Sequence, residues 1–300
     1  MKSKKKNTSI NILIGIGIVV LIILLIIQLN QNKEVSRGKS SGQVAFGIYN
    51  NNKILNSGSY IQEKTIKHKL EMSQNLAVPR DYLVLAFIDY VQTEFTVDDK
   101  IYNNYIIKLD KNDSKDIMIN MNIPDNAKEL CYVIIKKPAY IIGESDIKKA
   151  CTLQEIMTLR YSLDKNDKNI NIDSNIDIVL EGPMDNIFLS ESDINLKALF
   201  TCNENEEKKL VLGNMSDKSI QYAVVQLLDW NQVTFDTKEM IKFFEVAPNT
   251  KISYAVDIPS VDKDSLIQYI AFPFPFNTSK DNFYSTIGVG TFRTTIIDIE

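Results

Sequence analysis

Two short constellations carry the side chains best suited to chemistry, and they have the same form. Asp89-Tyr90-x-Gln92 and Asp229-Trp230-x-Gln232 each set a carboxylate beside an aromatic ring and a side-chain amide at the end of an apolar run. A carboxylate and an amide next to an exposed ring suit the hydroxyls of a sugar or the amides of a peptide. The same residues also suit a structural corner, in which Asp caps backbone N–H groups and Gln bonds across the turn. Their occurrence twice favours the structural use, because duplicated units share what holds the fold. Asp89, Tyr90, Gln92, Asp229, Trp230 and Gln232 are therefore the candidate binding residues, and no catalytic residue is assigned.

Other chemistry finds little support. His68 is the single histidine, and it lies in the charged stretch EKTIKHK, which reads as a solvated strand face. A Ser-His-Asp or Cys-His set would have to include it. Cys131, Cys151 and Cys202 have no zinc-ligand spacing. Asp167-x-Asn169-x-Asn171 and Asp173-x-Asn175-x-Asp177 imitate the start of a calcium loop but lack its Gly and its closing Glu. Gly288-Val289-Gly290 lies between strand-like segments, where a phosphate loop would need a strand leading into a helix. No metal or cofactor is expected. Trp230 and the run Phe272-Pro273-Phe274-Pro275-Phe276 could present apolar surface to a partner. They read better as a ring packed under a neighbouring loop, and as phenylalanines entering the core with prolines at a sheet edge.

The two constellations belong to a longer repeat. Tyr82-x-Val84-x4-Asp89-x2-Gln92-x2-Phe95 recurs without a gap as Tyr222-x-Val224-x4-Asp229-x2-Gln232-x2-Phe235, 140 residues later (229 against 89). Solenoid repeats run at about 20–50 residues, so this spacing is that of a duplicated domain, typically about 100–150 residues long. Further on, Leu130–Ile135 corresponds to Ile267–Phe272 and Pro138 to Pro275. None of the cysteines align, which excludes a repeated disulfide; three small buried apolar side chains are expected, with a Cys131–Cys151 pair inside the first domain and Cys202 left over as the alternative.

Val44–Tyr49, Ile117–Ile123 and Ile252–Ile258 alternate with period two, whereas Leu83–Ile88 and Ala223–Leu228 are continuous apolar runs, as in strands covered on both faces. Turn-forming residues separate them. The pattern is mainly β: two tandem related β-sandwich domains, immunoglobulin-like in the broad sense, at 42–163 and 176–300, with a polar linker at 164–175. Only Asp146–Leu159 reads as a helix.

Residues 1–9 carry Lys2, Lys4, Lys5 and Lys6, and 10–29 run without a charge. Twenty helical residues span about 30 Å, the hydrocarbon thickness of a bilayer. The run is longer than a signal-peptide core and is followed by no Ala-x-Ala site, so an uncleaved transmembrane anchor is expected. The basic tail then stays cytosolic, a tether occupies 30–41, and the domains lie outside the cell.

The chain has 34 basic and 38 acidic residues, a net −4. Without the four tail lysines the remainder has 30 against 38, or −8, which excludes the basic footprint of a nucleic-acid binder. Heavy use of Ile, Asn and Lys points to an AT-rich genome. The general plan resembles that of anchored surface proteins of Gram-positive bacteria. The expected function is a non-enzymatic module of the cell envelope that binds another protein or a wall component. An anchored enzyme acting on a wall or surface polymer, or an accessory subunit of a membrane complex, is the alternative.

Overall fold

The computed structural model describes residues 42–141, 156–164, 170, 172, 178–182, 187–235 and 238–298, and Val44–Glu300 form one compact unit. The apolar run at 10–29, the tether, Cys151, the calcium-like stretch and most of the linker lie outside the described residues. Among the described residues, no helix is long and apolar enough to cross a membrane.

The described residues are mainly strand. The first copy contains β1 (Gln43–Asn50), β2 (Lys53–Leu55), β3 (Thr65–Asn75), β4 (Arg80–Ile88), β5 (Val91–Gln92), β6 (Phe95–Val97), β7 (Lys100–Tyr102), β8 (Asn104–Leu109), β9 (Ser114–Asn122), β10 (Glu129–Lys136) and β11 (Met157–Ser162). The second contains β12 (Ile178–Glu181), β13 (Ile187–Ser190), β14 (Thr201–Asn203), β15 (Glu207–Gly213), β16 (Ile220–Leu228), β17 (Asn231–Val233), β18 (Lys242–Val246), β19 (Thr250–Asp257), β20 (Ser265–Pro273), β21 (Val289–Gly290) and β22 (Thr294–Ile297).

These strands form four sheets. In the first copy, an outer sheet ordered β2-β1-β3-β9-β6-β7 covers an inner sheet ordered β11-β10-β4-β5, with β8 also on β4. In the second copy, an outer sheet β12-β19-β15-β13 covers an inner sheet β14-β22-β20-β16-β17, with β18 on β16 and β21 on β20.

The two inner sheets pack against each other, which explains the apolar runs. In β4, Tyr82, Val84, Ala86 and Ile88 point into the first sandwich. The alternate residues Leu83, Leu85 and Phe87 meet Ala223, Val225, Leu227 and Phe272 of the second copy. Tyr222 and Val224 face the second sandwich core in turn. A strand with no solvent face has no position for a polar side chain, whereas outer strands such as β3 alternate. The order is therefore outer sheet, inner sheet, inner sheet, outer sheet, with three apolar layers between.

The duplication extends to buried polar detail. Gln74 Nε2 donates to the carbonyls of Val78, Leu109 and Asp110, and Asn214 Nδ2 donates to those of Lys218, Val246 and Ala247. Each amide satisfies the loop carbonyls at the same end of its sandwich, where loose acceptors would be costly.

Two expectations are corrected. Met157–Leu159 do not continue a helix; they form part of β11, pairing with Tyr132–Ile134 of β10. Ladder bonds along β10 outweigh a weak helical periodicity. Residues 146–155 of that expected helix lie outside the described residues. His68 is not on a solvated face: it is 1% exposed, and its Nδ1 lies 3.0 Å from the Tyr132 hydroxyl. In EKTIKHK and the leucine after it, the alternation places the lysines outside and Ile66, His68 and Leu70 inside. Pro273 ends β20 where only β16 flanks it, since β22 pairs with Ser265–Ile267 and β21 with Ile270–Ala271, so its ring takes an unpaired margin of the sheet. Cys131 and Cys202 are buried free thiols, and burial pushes the Cys202 pKa up to about 11.

Burial lowers the His68 pKa to about 4 from an ordinary 6.5. The folded protein therefore holds the neutral imidazole where the unfolded chain takes up a proton. Stability is unaffected by His68 above pH 6.5 and falls as the pH drops from 6.5 towards 4, by up to about 3 kcal/mol. Urea denaturation between pH 7 and 5 should show this loss, and His68→Phe should flatten the slope in that window.

Candidate functional site

Both repeated corners are two-residue hairpin turns. Asp89 and Tyr90 have φ of 51° and 66°, and Asp229 and Trp230 have 45° and 69°, so both central positions are left-handed in each turn. They join Ile88 to Val91 and Leu228 to Asn231, the type I′ arrangement that matches strand twist. Asp tolerates this backbone better than most residues. Asp89 Oδ1 accepts the N–H groups of Lys128 and Glu129 at 2.7 and 2.8 Å, and Asp229 Oδ1 accepts that of Leu266 at 2.9 Å. Each carboxylate thus ties its hairpin to the start of the neighbouring strand, β10 or β20.

The glutamines tie one copy to the other. Gln92 N–H donates to Gln232 Oε1 and Gln232 N–H to Gln92 Oε1, both at 2.6 Å. Gln92 Nε2 donates to the Trp230 carbonyl at 3.1 Å, and Gln232 Nε2 to the Tyr90 carbonyl at 2.9 Å. The reciprocity is that of a pseudo-two-fold axis passing between the two side chains.

A second reciprocal pair lies deeper. Arg160 of β11 is fully buried; its Nη1 donates to the carbonyl of Pro273 at 2.6 Å and its Nη2 to that of Phe274 at 3.4 Å. Arg293, 1% exposed, donates to the carbonyls of Lys136 and Lys137. Lys137 and Phe274 are equivalent positions, and both are left-handed (φ 47° and 52°). Arg160 lies over the Tyr90 ring and Arg293 over the Trp230 ring, 5.8 and 4.9 Å from the centroids. Each copy therefore stacks an arginine on its own hairpin aromatic and reaches into the other copy's strand end.

The charges are not symmetric. Arg160 Nε meets Glu129 Oε1 at 2.6 Å, and that carboxylate also accepts from the Tyr90 hydroxyl, Thr278 Oγ1 and Phe276 N–H. Burial alone would lower the Arg160 pKa, but Glu129 and Tyr90 reverse this and hold it above its ordinary value. Arg293 has no such carboxylate. Burial lowers its pKa to about 10, and its Nε has no hydrogen-bond partner.

Of the six candidate binding residues, Tyr90, Gln92, Trp230 and Gln232 meet at the junction, whereas Asp89 and the exposed Asp229 brace their own hairpins within each copy. Tyr90 is 1% exposed, and the Trp230 indole N–H is given to the Pro138 carbonyl. Trp230 thus packs under a neighbouring loop, and that loop belongs to the other copy. In the Phe-Pro run, Phe272 lies in the layer between the inner sheets and Phe276 stacks on Tyr90 at 5.1 Å. Glu129, Arg160, Thr278 and Arg293 are the residues that sequence reasoning missed. A signal was present: only four arginines stand among 34 basic residues, and two of them end the similar triplets Thr158-Leu159-Arg160 and Thr291-Phe292-Arg293.

No family model matches this chain. No curated protein matches it either. Among solved structures it is similar to the E. coli chaperone DraB (10% identity, 86% of this chain and 98% of that one, TM-score 0.27). It is also similar to a Salmonella enterica SafA pilin complex with the SafB chaperone (12%, 85% and 96%, 0.24). A third likeness is to the C-terminal domain of the Streptococcus agalactiae AgI/II polypeptide BspA (7%, 85% and 100%, 0.24).

Arg160→Met strands the Glu129 carboxylate in the interior and should cost about 3–5 kcal/mol. Arg293→Met strands only carbonyls and should cost about 1–3 kcal/mol. Adding Glu129→Leu to Arg160→Met should recover part of the loss. Urea denaturation of the purified chain, read by circular dichroism, checks the order.

Proposed function

We propose that this is a single-pass membrane protein of a bacterial cell envelope, most simply a Gram-positive one, that displays a non-enzymatic binding body outside the cell. The uncharged run at 10–29 and the basic tail support the anchor and its orientation. One observation carries the binding reading, namely where the chain spends its buried polar groups. Arg160, Glu129, Tyr90, Gln92 and Gln232 all turn inward to join the two sandwiches. What remains outside is strand edge, loop and shallow cleft, surfaces suited to taking hold of another chain.

The junction also bears on how binding would work. Two independently swinging domains would gain avidity from separate sites, whereas a fused body presents its surfaces at fixed spacing. The partner is an envelope protein or a wall component.

In-cell cross-linking of the tagged full-length protein in its host, followed by mass spectrometry, tests the reading. The expected outcome is enrichment of a particular envelope protein or wall fragment over an anchor-only control. Recovery of nothing beyond that control overturns it.

A further inference from the structure

The two outer sheets differ at the strand beyond β9 and its counterpart β19. In the second copy, β12 runs antiparallel along the far edge of β19, with Ile178 opposite Ser253, Leu180 opposite Lys251 and Glu181 opposite Thr250. In the first copy, the equivalent edge belongs to β9. Ser73 pairs with Ser114, and Gly213, 140 residues after Ser73, pairs with Lys251. Ser114 therefore corresponds to Lys251, and the edge lined by β12 corresponds to residues 113–116. Among the described residues no strand lies there, and the far edge of β9 pairs only once, Thr96 of β6 with Asn120.

The backbone of that edge is turned outward. Ile123 N–H donates to the Lys64 carbonyl, and the Asp113 carbonyl accepts from Gln74 N–H, so the odd-numbered residues bond across to β3. In an antiparallel ladder the alternate residues then face the other way. Ser114, Asp116 and Met118 thus direct N–H and C=O groups at the far edge, between the residues that β3 holds and the point where β6 joins at Asn120. Asp113 Oδ1 holds the Ser114 N–H at 2.8 Å. Beside Asp116 and Met118 is an open cleft of about 220 Å³ lined by Asp98, Tyr105, Lys115, Asp116, Ile117 and Met118.

We propose that this gap is a docking slot for an extended segment of a partner protein, which adds to β9 as an antiparallel strand in the manner of β12 on β19. The inference rests on the binding reading above and gives it a site and a chemistry. Main-chain ladder bonds would supply affinity, and side chains at alternate positions would supply selectivity. Directly opposed residues share a face. A residue opposite Asp116, with Asp98 lining the same cleft and Lys115 set by the alternation on the other face of β9, is therefore best a Lys or Arg. Its neighbour, opposite Ile117 and beside Tyr105, is best apolar. The ligand is thus an extended stretch alternating basic and apolar residues. A second copy of this chain is a poor occupant, because pairing two β9 edges would bring their aspartates together.

The test uses the full-length protein in detergent micelles and a phage-displayed library of random heptapeptides. The expected result is enrichment of peptides alternating basic and apolar residues. Adding such a peptide should slow hydrogen exchange at the Asp116 and Met118 amides. Asp116→Pro removes one outward N–H without touching the β3 ladder and should weaken binding about tenfold. Asp116→Lys, an exposed change that leaves the backbone free to fold, should weaken it by a similar factor. The proposal is overturned if no such peptides are enriched, or if the selected peptides bind both variants as tightly as the parent. It is equally overturned if the two amides are already protected in the free chain, which would mean that a segment of the same chain fills the slot. Dimerisation through this edge would assign it to a second copy and overturn the partner reading. A partner that is cross-linked in cells and unaffected by Asp116→Pro would remove the slot while leaving the binding function standing.

Discussion

The ion pair between Arg160 and Glu129 is the interaction on which the body depends. A guanidinium and a carboxylate sealed away from water are costly to desolvate, and they are tolerated only where nearly every donor and acceptor finds a partner. Here the partners come from both copies: Tyr90 from the first, and Pro273, Phe274, Phe276 and Thr278 from the second. Separating the inner sheets would open that cage and expose the apolar layer of Leu85, Phe87, Val225 and Phe272 together. Charge and apolar burial therefore favour the same arrangement, and the directional bonds fix which one of many sheet-on-sheet packings is adopted.

Duplication explains what the copies share, and the contacts each copy makes show where they differ. The hairpins, the amide plugs and the arginine clasps recur because each solves a local problem of unpaired backbone or a strand end. Glu129 has no acidic counterpart, since Leu266 stands at the equivalent place in β20. One clasp is consequently a salt bridge and the other a lone cation held by carbonyls and an indole ring. The outer sheets diverge further, with the β6–β7 hairpin present in one and β12 in the other.

Much of the architecture was legible in the amino-acid order. Period-two segments marked the outer strands, and continuous runs marked the inner ones. The gapless match of Tyr82–Phe95 with Tyr222–Phe235 marked the duplication. What the order concealed was depth. EKTIKHK looks solvated because its lysines dominate the composition, although its alternate residues are core. Asp89 and Gln92 look like a ligand site because a turn carboxylate and amide resemble one. Their partners, Lys128 N–H and Gln232, are remote in sequence and appear only once the chain is folded. Arg160 and Arg293 were visible only as two rare letters in similar triplets, with nothing local to show that each reaches into the opposite copy.

The reciprocal bonds of Gln92 and Gln232 have a consequence for the origin of the chain. A surface that binds its own image through the same residues is isologous, the kind that closes a symmetric pair of subunits. Such a pair exists only above a concentration set by its dissociation constant. Covalent fusion of two such subunits removes that dependence, so the assembled form persists even for a molecule present in few copies. It also frees the halves to mutate separately. A single-copy ancestor would have had to carry any carboxylate beside its arginine twice, or not at all.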